Sequence, residues 1–157
     1  MNPVSASDLA RIALFEGLPD AELAGLATDS TRRRLADGEV LFAQGEPAQT
    51  LYVVVRGGVV LRTDGDGRSV IVETLRPGDL LGWAAMREGA ITLSTARAVG
   101  PTEVIAIPID DIVDLASGGS SKSRLLLQRI VGLAAHHLEA SWKQLLQVGR
   151  EGVITAG

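Results

Sequence analysis

The chain has 157 residues, a formal net charge of −4 and no cysteine. The absence of cysteine excludes disulfide bonds and thiolate-bound iron–sulfur clusters, and the acidic balance leaves no basic face of the kind that nucleic-acid-binding proteins use. No stretch reaches the ~18 apolar residues of a membrane span, and the N-terminus lacks the order of a signal peptide, so we expect a cytoplasmic protein without nucleic-acid or membrane partners.

Two helices are predicted at the start of the chain. Residues 7–18 place apolar side chains at helical spacing, and Pro19 then interrupts the pattern. Asp20 is a suitable N-cap for a second, short helix. We assign residues 1–30 to these N-terminal helices.

Short β-rich runs separated by glycine turns fill the middle of the chain. This spacing is typical of an antiparallel barrel or sandwich. The tetrapeptide at residues 64–67, Asp-Gly-Asp-Gly, is a hairpin signal because these residues tolerate positive φ. The predicted strands are residues 33–35, 40–43, 50–55, 58–63, 69–75, 80–82, 94–99 and 103–108, within a β-roll that we assign to residues 31–116.

Arg32, Arg33 and Arg34 form the one basic run of the sequence. In an extended segment alternate members of the run point to opposite faces. Short charge runs are usually solvated, so we interpret this one as a solvated strand face. A patch that binds an anion or a partner is the alternative.

A long helix is predicted at the C-terminus, after a helical turn near residue 110 and a flexible Ser/Gly joint at 117–121. We assign residues 117–157 to this hinge and helix, expect the helix to end at Gly149, and treat the whole chain as one structural domain. Apolar residues at 4-3 spacing predict a homodimer through this helix, although packing on its own domain is an alternative and both can hold together. The seam consists of Leu127, Val131, Ala134, Leu138, Ser141 and Leu145.

Five segments of the sequence together resemble, in order, the cyclic-nucleotide-binding domain of the catabolite activator protein and protein kinase A regulatory subunit superfamily. The resemblance implies a mainly β fold, an eight-stranded antiparallel double-stranded β-helix (jelly roll) with N-terminal helices and a long C-terminal helix. It also implies a regulatory sensor and not an enzyme. The segments are LFEGL (14–18), GEVLFAQGE (38–46), LYVVVRGGV (51–59), PGDLLG (77–82) and EVIAI (103–107).

Residues 77–98 match the ligand-binding segment of that family, which we call the cassette. The resemblance implies that backbone amides and an Arg hold the cyclic phosphate and that a Glu holds the ribose. Trp83 stands at the Glu position here and Thr92 at the Arg position, so we expect lost or altered cyclic-nucleotide binding, with no cofactor certain. Arg87 is an alternative cation. The candidate ligand-binding residues are Gly82, Trp83, Ala84, Ala85, Arg87, Thr92, Ser94 and Thr95.

Two other functions remain open at the level of sequence. The first is a ligand-free scaffold that acts on partner proteins through its C-terminal helix. The second, weaker alternative is a haem-based sensor, although the predicted roll contains no histidine. The family's terminal helix covers its ligand, so His136 or His137 could face the cassette.

Enzymatic and metal sites are not predicted. No Gly-Lys-Ser/Thr follows the cassette glycine, which excludes a P-loop. Asp110, Asp111 and Asp114 lie close together on the predicted turn, and we interpret them as solvated carboxylates without a metal. Transcription factors of the family continue into a DNA-binding domain, whereas the resemblance ends here near Val148. We therefore expect the output to pass to a downstream protein or through the dimer.

Overall fold

Antiparallel strands form the centre of the molecule in the computed structural model. The strands are β1 (Asn2–Pro3), β2 (Thr31–Leu35), β3 (Val40–Phe42), β4 (Thr50–Gly65), β5 (Arg68–Leu75), β6 (Leu80–Leu81) and β7 (Thr95–Pro108). The helices are α1 (Ala6–Ala10), α2 (Asp20–Asp29), α3 (Ile109–Ala116) and α4 (Ser121–Ala156), with 3₁₀ turns at Ala13–Phe15 and Trp83–Met86. The structure describes the backbone of residues 2–87 and 89–156 and the side chains of residues 3–87, 89–136, 138–140, 142–143 and 146–147.

The described strands join into one sheet in the order β1-β2-β7-β4-β5, with β3 paired to β7 and β6 paired to β4. Four of the eight predicted strands merge in pairs into β4 and β7, because each of these two strands bends without leaving the sheet. The β4–β7 register shifts on either side of Arg56. Gly57 there has φ of +78°, and a Cβ at this position would overlap the carbonyl oxygen of Pro101. A bulge of this kind bends a strand and increases its twist, so the sheet can curl into a roll.

The predicted hairpin at residues 64–67 is confirmed. Gly65 pairs with Arg68, which leaves Asp66 and Gly67 as the two turn residues. Both have positive φ, +51° and +74°, as a type I′ turn requires.

The N-terminal segment forms a shorter helix than the sequence predicts. Ser5 caps α1, since its Oγ accepts from the amide of Asp8 at 3.1 Å, and α1 ends at Ala10. Ile12 and Leu14 are both buried. On one continuous helix they would point about 160° apart, so the chain turns to bury both. At α2 the N-cap residue is Pro19, and Asp20 is the first residue of the helix.

Two apolar clusters stabilise the described residues. The helix-side cluster joins the helices to one face of β4 and β7, and includes Leu9, Phe15, Leu23, Leu51, Ile107, Ile112, Leu126 and Ile130. The roll cluster lies on the opposite face of the same strands, and includes Leu35, Leu41, Val54, Val59, Leu75, Leu81, Ala96 and Val104. Alternation along β4 and β7 therefore divides the apolar side chains between the two clusters.

The start of α4 packs on the domain, whereas the side chains described after Ile130 are exposed. Leu126 and Ile130 are buried, and Arg129 donates to the carbonyl oxygens of Leu14, at 3.2 Å, and Glu16. No described side chain after Ile130 is buried. The predicted end at Gly149 is wrong, because the helix continues to Ala156; one glycine costs only ~1 kcal/mol in a helix. Among the described helices, none combines the length and apolar character needed to cross a bilayer.

Candidate functional site

Within the cassette, Gly82 follows β6 and lies directly against β4. Its φ is +92°, and a Cβ would approach the carbonyl oxygen of Thr50 to 2.5 Å. Glycine is therefore required at this position by both backbone conformation and space. The 3₁₀ turn that follows begins at Trp83.

Trp83 packs on the helix-side cluster. Its side chain is half-buried there, beside the buried methyl of Ala85. Ala84 is half-buried in the same turn. Arg87, at the end of the turn, is exposed.

Thr92, which the family resemblance places at the Arg position, is buried and fully hydrogen-bonded within the protein. Its Oγ1 donates to the carbonyl oxygen of Ala43 at 2.6 Å and accepts from the amide of Glu46 at 3.1 Å. Its own amide donates to the Glu46 carbonyl at 2.8 Å, and its carbonyl accepts from Gly45 at 2.9 Å. The Thr92 side chain thus fixes the 43–46 turn to the cassette.

Ser94 and Thr95 also use their hydroxyls inside the protein. Ser94 Oγ lies 2.7 Å from Thr63 Oγ1, and Thr95 Oγ1 accepts from the amide of Gln44 at 3.0 Å. The structure brings the three predicted hydroxyls together along one segment, where they hold β4 and the 43–46 turn in place.

A cavity of about 220 Å³ lies between β2, β3, β4 and the cassette. Gly82 and Thr92 are the predicted site residues that line it. Phe42 and Tyr52 form another part of the wall, with their rings stacked at 5.6 Å between centroids. Arg33 also lines the cavity, although it is not among the site residues that the sequence predicts.

The interpretation of the basic run as a solvated face is wrong for two of its three members. Arg33 is half-buried in the cavity wall. Arg32 pairs with Asp8 at 2.8 Å and Glu103 at 3.3 Å, while Arg34 is exposed and lies 3.9 Å from Glu103. The alternation of side chains along a strand could have predicted that Arg33 is half-buried, because Arg33 shares a strand face with the apolar Leu35.

The Arg32 ion pairs join α1 to the sheet. Hydrogen bonds from Ser5 lower the pKa of Asp8, and the hydrogen bond and charge of Arg32 lower it further. Glu103 is buried, so its carboxylate depends on these cations for compensation. This cluster lies on the strand face opposite Arg33.

A second cavity, of about 350 Å³, lies between α2 and α3 and is acidic. Glu22, Asp29, Asp111 and Asp114 line it. Asp111 is not the solvated carboxylate that we expected: burial first, and then the carboxyl of Asp29, raise its pKa. Among the described residues, no group of three or more His, Cys, Asp or Glu side chains has an arrangement that could hold a metal ion.

The predicted seam residues of α4 face solvent wherever their side chains are described. Leu127, Val131, Ala134 and Leu138 are exposed, whereas Leu126 and Ile130 are buried in the domain. The side chains of Ser141 and Leu145 lie outside the described residues. His136 is exposed on α4, and the side chain of His137 also lies outside the described part.

Comparison with known proteins gives consistent matches. The family model for the cyclic nucleotide-binding domain matches residues 32–118. The CRP-like cAMP-activated global transcriptional regulator of Mycobacterium tuberculosis is 30% identical over 103 residues, 65% of this chain and 45% of that protein. The cyclic AMP receptor protein of Thermus thermophilus is 34% identical over 129 residues, 81% of this chain and 54% of that protein.

A solved structure gives the same result for the fold. The crystal structure of Thermus thermophilus catabolite activator protein aligns with a TM-score of 0.71 and 28% identity, covering 87% of this chain and 62% of that one. The predicted fold class is therefore confirmed: a mainly antiparallel β-roll with flanking helices and a long C-terminal helix. The chain spans 45% and 54% of the length of the two curated relatives named above.

Proposed function

Since the chain belongs to the cyclic nucleotide-binding domain family, we propose that it is a non-enzymatic regulatory module whose cassette does not hold a cyclic nucleotide in the usual manner of that family. Its output passes through α4, by homodimerisation and by contact with a downstream protein. The hydrogen bonding of Thr92 is the observation that supports the proposal most directly.

A cyclic phosphate needs a compensating cation when it is removed from water. Thr92 supplies no charge, and its hydroxyl already bonds Ala43 and Glu46. By analogy with broken buried ion pairs, a missing cation costs ~3–5 kcal/mol, which is about 10²- to 10³-fold or more in affinity. Trp83 supplies no carboxylate for a ribose and packs on the helix-side cluster instead.

Isothermal titration calorimetry with cyclic AMP and cyclic GMP tests the first part of the proposal. We expect no saturable heat at micromolar nucleotide concentration, from protein whose circular dichroism shows a folded β-rich domain. Saturable binding of either nucleotide at micromolar concentration would show that another group supplies the missing charge, and the proposal would then be wrong.

The exposed seam of α4 supports the second part. Leu127, Val131 and Leu138 are 48%, 60% and 59% exposed, at the 4-3 spacing of a two-helix interface. Such a row of apolar side chains in water favours a second helix that covers it.

Sedimentation velocity of two variants tests the homodimer. Leu138→Glu places a charge in the seam and is expected to give monomers. Ala140→Glu adds the same charge to an exposed position about 200° around the helix, and is expected to leave the dimer intact. A wild-type protein that sediments as a monomer at tens of micromolar would contradict this part of the proposal.

A further inference from the structure

The register of β2 places Arg33 on the inner face of the roll. Arg33 pairs with Val104 of β7, and residues directly opposite in an antiparallel pair project to the same face. Val104 and Leu35, which share that face, belong to the roll cluster. The guanidinium-bearing side chain therefore lies on the face that is otherwise apolar and lines the 220 Å³ cavity.

Arg33 differs from its neighbours in its charge partners. Arg32 and Arg34 both lie within 4.0 Å of Glu103, whereas among the described residues no carboxylate lies within that distance of Arg33. Its one hydrogen bond there is long, 3.5 Å from Nη1 to the carbonyl oxygen of Leu41. A guanidinium has five N–H donors, so most of them remain available in a half-buried site.

The remaining walls define the size and character of a ligand. The stacked rings of Phe42 and Tyr52 offer an apolar surface, and Glu46 and Gln49 add polar groups at the 46–50 side. The volume, about 220 Å³, lies below the ~300–1,000 Å³ of pockets for drug-sized ligands. An occupant must therefore be small, and a carboxylate or phosphate group is the planar or tetrahedral oxyanion that a guanidinium binds best.

We propose that this cavity binds a small organic anion, whose carboxylate or phosphate group pairs with Arg33 and whose body contacts Phe42 and Tyr52. Glu46 lines the same cavity and favours a ligand with a hydroxyl or amino donor at its other end. The cavity is shared with the cassette, since Gly82 and Thr92 line it, but the proposal goes beyond the regulatory function above because its cation comes from β2 and not from the cassette. Neither the absence of cyclic-nucleotide binding nor the α4 dimer is needed for it.

Two probes distinguish the two possible oxyanions: L-lactate for a carboxylate and glycerol 3-phosphate for a phosphate. Each is titrated into ¹⁵N-labelled protein at constant ionic strength, with sodium chloride and glycerol as blanks. The Nε–Hε resonance of Arg33 and the amides of Phe42 and Tyr52 report binding. We expect a saturable shift of these resonances with at least one probe and no shift with the blanks.

Arg33→Met and Arg34→Met form a matched pair, because adjacent arginines of one strand project to opposite faces. Loss of charge-assisted hydrogen bonds weakens binding by about tenfold or more, so we expect Arg33→Met to lose the saturable response and Arg34→Met to retain it. Arg33→Met is expected to fold, since Arg33 makes no ion pair within the described residues.

The proposal is overturned if neither probe gives a saturable shift of the Arg33 resonance in the wild-type protein. It is equally overturned if Arg33→Met binds the probe as tightly as Arg34→Met. The first measurement uses only the wild-type chain and therefore decides the matter even if the Arg33 variant is unstable. Neither readout depends on cyclic nucleotides or on the oligomeric state.

Discussion

The side chain of Thr92 has a structural role at the position where the family resemblance implies a ligand-binding Arg. Thr92→Val keeps the shape of the side chain but removes both hydrogen bonds of the hydroxyl, so that the Ala43 carbonyl and the Glu46 amide keep only their mutual hydrogen bond of 3.3 Å. A hydrogen bond contributes ~0.5–1.5 kcal/mol net, so the two lost bonds together are worth ~1–3 kcal/mol. We expect a loss of this size in the free energy of unfolding, measured by urea denaturation.

Thr74→Val is the control for that experiment, because Thr74 is exposed on β5. We expect its unfolding free energy to match that of the wild-type protein within about 0.5 kcal/mol, as for most surface substitutions. Equal stability of the two valine variants would contradict the role assigned to the Thr92 hydroxyl.

Asp111 gives a prediction about pH. Its pKa is raised, chiefly by burial and then by Asp29, so the folded state binds the proton more tightly than the unfolded state. Stability is therefore lost as pH rises from the unfolded pKa of 3.8 through the raised folded value. Asp111→Asn removes the charge, and we expect it to stabilise the protein at pH 7.

The pH dependence separates this effect from a general effect of asparagine. The advantage of Asp111→Asn should shrink as pH falls through the raised pKa of the wild-type carboxyl, because the folded state then takes up the proton. Asp110→Asn, at the exposed neighbouring position, should show no comparable gain at pH 7. A gain for Asp111→Asn that is the same at pH 4 and pH 7 would count against the burial argument.

At this scale the sequence motif predicts which residues form the cassette but not what their hydroxyls contact. Gly82 could be predicted, since the motif around it is local. The partners of Thr92 could not, because the Ala43 carbonyl is 49 residues away in the sequence and only the folded roll brings the two together. Arg33 was missed for a different reason: strand alternation was applied within the basic run but not extended to the apolar Leu35, which shares a face with Arg33.

At the scale of elements, two adjacent leucines of α4 lie in different environments. Leu126 is fully buried in the helix-side cluster, and Leu127 is 48% exposed. Leu126→Ala should lower the free energy of unfolding by ~2–5 kcal/mol, the range for large-to-small core substitutions. Leu127→Ala should change unfolding of the monomer little and weaken dimerisation instead.

Urea denaturation at low protein concentration and sedimentation at high concentration measure the two effects separately. If both alanine variants lose the same unfolding free energy under dilute conditions, the assignment of Leu127 to a face between protomers is wrong. The sequence could not distinguish these two roles, because the same apolar residue types form a helix seam between protomers and a helix face in the core.

The boundaries of β4 and β7 show a related limit at the same scale. Glycines at 57–58 and 100 gave the appearance of turns between separate strands. In the roll they bend continuous strands, because pairing between β4 and β7 resumes on both sides of the bulge, from Val54 with Val104 to Gly58 with Val99. Glycine is typical both of a turn between two strands and of a bend within one strand. Long-range pairing determines whether the strand ends.

At the scale of the whole molecule, the described residues form two apolar clusters on opposite faces of the same two strands, with the small cavity at the edge of the roll cluster. Among the described side chains of α4, only those in its first part contribute to the helix-side cluster, since Leu126 and Ile130 are its buried members. The side chains described after Ile130 have no such contact within the chain, since all of them are exposed. In the proposed dimer, a second copy of α4 supplies it.

A dimer held through α4 makes thermal stability depend on protein concentration. Association with the folded state alone stabilises it by mass action, and a hundredfold rise in concentration adds ~2.7 kcal/mol per dimer. We expect the Tm of the wild-type protein to rise by several degrees over this range in scanning calorimetry. Leu138→Glu should show a Tm that does not change with concentration, whereas Ala140→Glu should follow the wild-type protein. A concentration-independent Tm for the wild-type protein would mean that the exposed seam is stable without a partner copy, and the folding of α4 beyond Ile130 would then need a different explanation.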